Sequence, residues 1–347
     1  MIAGPDSRSI IKRMPKVELH LHLEGAFTFE TLFRLVQKYG TEDSIYSIRD
    51  LQTRFEYRDF GHFIKTWFWK NQFFRESEDF EHMAFTTVES LHHQNVIYVE
   101  MFFSPFDFVE NGISVEEITE ATLSGIRKAE YQFGVRCGLI VDLVRDYGGE
   151  TAIDRLDQVS DYQNEGIIGI GLGGSEREYP PELFEDVFLA AKERGFHLVA
   201  HAGEVCGPES IWTAVNVLGA ERIGHGVRAI EDPELVRFLM LRKIPLEVCI
   251  TSNIRTGIFP VFQDHPIATL IENGLFATIN SDDPTMFSTT ITDEFLLLYD
   301  RLSFGLPSIK KLTENAVEAS FLDEMEKETL QRRVDQFWQE SYSDSLT

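Results

Sequence analysis

Short runs of apolar residues recur along this chain, separated by amphipathic stretches. Residues 96–103 are nearly all β-branched or aromatic, the pattern of a strand buried on both faces of a parallel sheet. Similar runs fall at 135–143, 167–172, 197–201, 223–225, 246–248 and 275–280, and residues 17–23 add an eighth. Between most of them apolar residues return at helical spacing, over 114–133, 180–194, 210–218, 233–241 and 267–274. Ser114 ahead of Glu116 and Glu117, and the pair Asp232-Pro233, are helix-start signals. Eight β-α units in 347 residues predict an α/β fold of the (β/α)8 TIM-barrel type rather than an open doubly wound sheet. No internal repeat and no linker rich in Gly, Ser or Pro interrupts the pattern, so one domain over 1–347 is expected.

The stretch between the first two strands is too long for a simple crossover. Leu32, Phe33, Leu35 and Val36 have helical spacing within 30–39, and Phe60, Phe63, Ile64, Trp67 and Phe68 share one stripe within 60–74. Extra helices over the C-terminal mouth of the barrel are therefore expected. The aromatic stripe fits either the core of a long helix or a wall against a flat apolar ligand. From 308 onward the chain reads as helices, with Leu330, Val334 and Phe337 on one stripe.

Composition narrows the partners. A formal net charge of −25 repels nucleic-acid backbones and anionic lipid, so neither nucleic acid nor a membrane surface is an expected partner. Cys137, Cys206 and Cys249 are scattered and show no C-x-x-C spacing, which points to a reducing compartment rather than a disulfide framework. Residues 1–14 lack an apolar signal region, no run approaches the roughly 20 apolar residues of a membrane span, and there is no N-x-[ST] sequon. A cytoplasmic protein is expected; no feature of the sequence specifies its oligomeric state.

The chemistry starts in residues 17–25, Val-Glu-Leu-His-Leu-His-Leu-Glu-Gly. On a strand of period two, His20 and His22 point to one face and can hold one ion; on a helix they would diverge by about 200°. In a barrel the strand ends carry the active site, and further groups end later strands: His201 and Glu204 in His-Ala-Gly-Glu, His225 in Gly-His-Gly, and Asp282 and Asp283 in Ser-Asp-Asp-Pro. His20, His22, His201 and Asp282 suit one divalent ion such as zinc per chain, with iron, manganese and cobalt as alternatives. Such an ion lowers the pKa of its water from 15.7 to about 7. Glu204 is placed to exchange protons with an attacked atom or leaving group, His225 to hold or deprotonate the water, and Asp283 to accept a hydrogen bond from a substrate N–H. Hydrolysis of an amide or phosphoester fits the same residues. The H-x-E…P-C-x-x-C signature of nucleobase deaminases is absent.

Together with Met14-Pro15-Lys16, Arg222-Ile223-Gly224 and Thr251-Ser252-Asn253, these motifs resemble, in order and over about 14–321, the adenosine/adenine deaminase family of the amidohydrolase superfamily. The resemblance implies zinc on His20, His22, His201 and Asp282. It implies that Glu204 protonates a purine at N1, that His225 orients and deprotonates the water, and that hydroxide attack at C6 releases ammonia. Asp283 would meet N7, the backbone of Gly174 would approach N3, and Phe63 and Trp67 would belong to an apolar lid. Glu24 falls where the family meets a ribose 5′-hydroxyl, usually through aspartate in adenosine-specific members; glutamate is common in adenine deaminases. Gly224 resembles the adenosine type. The expected small-molecule substrate is a 6-aminopurine nucleoside: adenosine first, then a 5′-modified adenosine such as 6-aminodeoxyfutalosine or methylthioadenosine, admitted by a glycine-widened loop with Ser175 over Gly171-Leu172-Gly173-Gly174-Ser175-Glu176, then adenine. A protein that kept the fold without catalysis would have lost a ligand or the proton donor, and none is missing.

Overall fold

The computed structural model describes residues 6–40, 44–57 and 60–343. Eight parallel strands follow chain order: β1 (Lys16–His22), β2 (Val96–Phe103), β3 (Arg136–Asp142), β4 (Ile167–Gly171), β5 (His197–Ala202), β6 (Arg222–His225), β7 (Leu246–Val248) and β8 (Ala277–Ile279). A parallel bridge between Leu21 and Asp282 joins the last strand to the first. There His22 N–H donates to Asp282 O (2.8 Å) and Asp282 N–H to His20 O (3.1 Å). The expected barrel is the observed one, with helices between the strands.

Burial on both faces explains why β2 reads as a nearly continuous apolar run: all eight of its residues are buried. Alternation then sorts them. Met101 and Phe103 join the large core beneath the helices, whereas Phe102 forms a separate cluster with Ile140 and Val199 inside the barrel. Ile168 and Phe321 pack against this cluster, and charged side chains fill much of the remaining lumen. Arg222 forks between Glu100 (2.5 Å) and Glu247 (2.6 Å), and Phe321 closes one end by stacking beneath the Arg222 guanidinium (3.7 Å) and donating its N–H to Glu100. Buried charges of this kind persist when every one is paired.

The helix Val115–Phe133 begins at the Ser114–Glu117 capping box and stops at Gly134 in the left-handed conformation. It packs against Ser77–His93, the helix that returns the chain to β2. Gly125 lets the two approach, since a Cβ there would lie 2.2 Å from the carbonyl of Glu81. Helices Ala152–Ser160, Ile250–Arg255 and Ile291–Arg301 were not among the expected elements. The tail forms Leu306–Ala319 and Glu324–Ser343, burying Leu330, Val334 and Trp338; residues 344–347 lie outside the described residues.

The aromatic helix spans Phe60–Asn71, and its buried face differs from the expected stripe. Thr66 and Lys70 are buried, Phe63 and Trp67 partly so, and Phe68 is 63% exposed. Residues 63, 66, 67 and 70 are the helix neighbours that face inward, one step round from the hydrophobic stripe. Phe63 stacks on Phe287 (5.2 Å) just after the end of β8, which places this helix over the mouth.

Candidate active site

The ends of β1, β5, β6 and β8 bring His20, His22, His201, His225 and Asp282 together. Nε2 of His22 lies 3.2 Å from Nε2 of His201 and 3.4 Å from Asp282 Oδ1, and His20 Nε2 lies 3.5 Å from that oxygen. Four donors bound to one ion at about 2.0–2.2 Å in tetrahedral directions would stand about 3.3–3.6 Å apart, so the spacing fits a divalent ion. The chemistry of the set fits as well. Burial pushes His22 down to about 3 and His201 well below the ordinary imidazole value, leaving neutral rings with free lone pairs. For His20 burial acts downward too, yet hydrogen bonds to Asp282 and Glu247 lift it to about 10; two carboxylates here call for a cation.

Three of the four donors are held from behind. His20 Nδ1 meets Glu247 Oε2 at 2.8 Å, and Arg222 holds the other oxygen of Glu247. Glu18 accepts from both the N–H (2.7 Å) and the hydroxyl (2.5 Å) of Ser281 and so anchors the turn that carries Asp282. Arg145 donates to the carbonyl of His201 (2.7 Å). Asp282 and His225 sit at φ 65° and 60°, conformations that L residues adopt at a cost of about 1–3 kcal/mol and that survive only when such contacts over-determine them. Exchanging Glu247 for glutamine is expected to weaken divalent-ion binding by about 10–100-fold, measured by competition with a chelator, because the negative end of the His20 pair is lost.

Glu204 stands on the loop after β5, gripped by Glu176: Oε1 accepts from Gly203 N–H (2.6 Å), and Oε2 from Val205 (2.8 Å) and Cys206 (2.9 Å). Its Oε2 lies 3.5 Å from His225 Nε2, and burial pushes its pKa up to about 8, so it holds a proton at neutral pH. Gly25 makes room for Asp283, whose Oδ1 would lie 1.8 Å from a Cβ at that position. That oxygen is buried without a hydrogen-bond partner among the described residues. Gly224 does the same for the donors: a Cβ there would be 2.9 Å from His20 Cε1.

Gly174, at φ 91°, is where the expectation needs correcting. The glycines do not widen the loop, because side chains from the end of β3 and the segment after it occupy the space. A Cβ at Gly173 would meet Asp142 Oδ2 at 2.5 Å and one at Gly174 would meet Asp146 Oδ2 at 2.3 Å, and those carboxylates bond Gly173 N–H (2.6 Å) and Ser175 N–H (2.9 Å).

The far end of the site is a buried polar cluster. Glu24 is fully buried, with Oε1 accepting from Ser104 N–H (2.8 Å) and Oε2 unpaired among the described residues. Lys70 is equally buried, donates to Asn71 Oδ1 (2.6 Å) and lies 3.7 Å from the centroid of the Trp67 ring. Burial pushes Glu24 up and Lys70 down. Asp107 ties the lid helix to its surroundings, accepting from Trp67 Nε1 (3.1 Å) and the Tyr147 hydroxyl (2.8 Å). Lys70, Asp107 and Glu247 escaped the sequence reading. The available signal for Lys70 was its position three residues beyond Trp67; Glu247 showed as the polar residue of an apolar run.

A (β/α)8 barrel with three imidazoles and a carboxylate converging at its C-terminal mouth is the arrangement of a barrel metallohydrolase. Residues 15–337 match the adenosine deaminase family, and the chain belongs to that family, whose members are deaminases and hydrolases. It is 35% identical to an adenine deaminase of Hahella chejuensis over 96% of this chain and 99% of that one. The crystal structure of an adenine deaminase from Arthrobacter aurescens superposes with TM-score 0.89 at 31% identity, covering 94% of this chain and 99% of that one. A zinc-bound amidohydrolase from Burkholderia ambifaria also gives 0.89, at 25% identity over 99% and 97% of the two chains. Among the described residues no helix is long and apolar enough to cross a membrane.

Proposed function

We propose that this protein hydrolyses the 6-amino group of an adenine-type purine, releasing ammonia, with zinc on His20, His22, His201 and Asp282. The observation that carries the reading is the convergence of these donors, with His22 lying 3.2 Å from His201 and 3.4 Å from Asp282 and His20 lying 3.5 Å from Asp282, beside Glu204, whose carboxyl burial pushes up. When bound, the ion supplies a water acidified to near neutrality. The chain's own groups do the rest. Glu204 gives its proton to N1, making C6 electrophilic, and the amino group leaves protonated. His225 holds the attacking oxygen by a hydrogen bond. Asp283, whose carboxyl burial pushes well above the usual carboxylate range, donates its proton to N7, the backbone of Gly174 lies toward N3, and Phe63 and Trp67 cover the ring and exclude water.

Free adenine now stands ahead of its expected place. The curated relatives are named adenine deaminase, and the widened loop that favoured a large 5′ group is filled by Asp142 and Asp146. The second reading, an N9-substituted purine such as adenosine or a 5′-modified adenosine, is favoured by Lys70 and the unpaired oxygen of Glu24, which offer two buried hydrogen-bonding groups beyond the purine. The test follows ultraviolet absorbance and ammonia release across adenine, adenosine and 5′-substituted adenosines; turnover of none of them by zinc-loaded protein sinks the proposal. Exchanging Lys70 for methionine separates the readings. If an N9 substituent is bound, KM for nucleosides rises about tenfold, the loss of about 1.4 kcal/mol from one charged hydrogen bond, while that for adenine stays within about twofold.

A further inference from the structure

A buried chain of hydrogen bonds behind β7 ends on both Glu204 and His225. Asn253, in the helix Ile250–Arg255, is fully buried, with Nδ2 lying 3.1 Å from His225 Nδ1 and 3.3 Å from Glu204 Oε1. Its Oδ1 lies 3.1 Å from Nε2 of His265, itself buried, and Nδ1 of His265 faces the backbone N–H of Ile267 at 3.2 Å.

One end of this chain has a fixed direction, because a backbone amide can only donate. His265 Nδ1 must therefore carry a lone pair. Burial keeps the ring neutral, pushing its pKa down to about 3, and a neutral imidazole has one proton, which must then be on Nε2. The Asn253 atom facing that N–H must be its carbonyl oxygen, so the amide cannot flip. Its NH2 group meets His225 and Glu204, and both must accept.

We propose that His265 and Asn253 are positioning residues that hold His225 as the Nε2–H tautomer and reserve Glu204 Oε1 as an acceptor, leaving Oε2 to carry the transferable proton. Both protons then face the reaction space: His225 Nε2 lies 3.5 Å from Glu204 Oε2 and 3.9 Å from Asp282 Oδ2. His225 accordingly enters the reaction as a hydrogen-bond donor that orients an oxygen. This assignment rests on the deaminase reading for its purpose and on hydrogen-bond direction alone for its geometry.

Zinc-loaded full-length protein labelled with 15N-histidine gives the direct test through long-range 1H–15N correlation spectra, with His225 and His265 assigned from single variants. Both rings are expected as Nε2–H tautomers, and an Nδ1–H tautomer at His225 overturns the proposal even if no purine is turned over. Asn253→Asp presents a carboxylate oxygen to His225 Nδ1 and is expected to switch that ring to Nδ1–H. Metal content and KM should be nearly unchanged, and kcat should fall by about tenfold or more. His265→Gln retains a donor at the Nε2 position and is expected to keep kcat within about threefold, whereas His265→Leu loses about as much as Asn253→Asp. Equal losses in the two His265 variants, with the His225 tautomer unmoved, would reduce these residues to packing.

Discussion

Replacing Glu204 with glutamine is expected to lower kcat by about two to four orders of magnitude, about 3–5 kcal/mol of barrier, while metal content stays at the level of the unmodified protein. Glutamine keeps the shape of the side chain and an oxygen for the Asn253 amide at 3.3 Å, but it has no acidic proton to give. Glu204 is not among the four converging donors, and its loop is held by the Glu176 carboxylate and by Arg228, which donates to the Glu204 carbonyl (3.1 Å). The substitution therefore removes a proton without moving the backbone. Metal analysis and steady-state kinetics on the same preparation check the result; retained turnover would remove Glu204 from the reaction.

Asp282→Asn is expected to fail by the other route. The exchange keeps the side-chain shape, and asparagine tolerates the left-handed backbone at φ 65°, so the closing bridge between Leu21 and residue 282 survives. What disappears is the negative charge facing His20 at 3.5 Å and His22 at 3.4 Å. Divalent-ion affinity should fall by more than about 100-fold, beyond what loss of an outer partner such as Glu247 costs, and turnover should fall to background. The rise in Tm that zinc gives the unmodified protein should vanish at equal metal concentration, since an ion stabilises only the form it binds. Full metal content in this variant would exclude Asp282 from the donor set. Together the two substitutions separate proton supply from metal loading: one holds the ion and loses the chemistry, the other loses both.

The strands were legible because each is largely buried on two faces, which favours a short run of apolar residues bounded by polar ones. The donors were legible because chemistry at a barrel mouth gathers at strand ends, where a histidine or aspartate interrupts such a run. Outward rotation was not legible. Phe68 belongs to the hydrophobic stripe of 60–71 and yet faces solvent, while Lys70 is fully buried, because the lid packs against the polar mouth of the barrel rather than an apolar core. The glycines at 173 and 174 read as empty space, and whether that space stays empty depends on Asp142 and Asp146, about thirty residues earlier in the chain.

By itself, then, the order of apolar runs determined the eight-stranded barrel, and the histidines and acids at the ends of those runs marked the candidate metal and proton groups, since both follow from local periodicity and the rim they share. Only the tertiary structure decided which second residue each of them meets. Glu247 behind His20, Glu176 under the Glu204 loop, and Asn253 with His265 behind His225 are contacts between segments 12 to 227 residues apart. Hydrogen bonds across such separations leave no period in the sequence, because their partners are neighbours in the closed barrel and not along the chain.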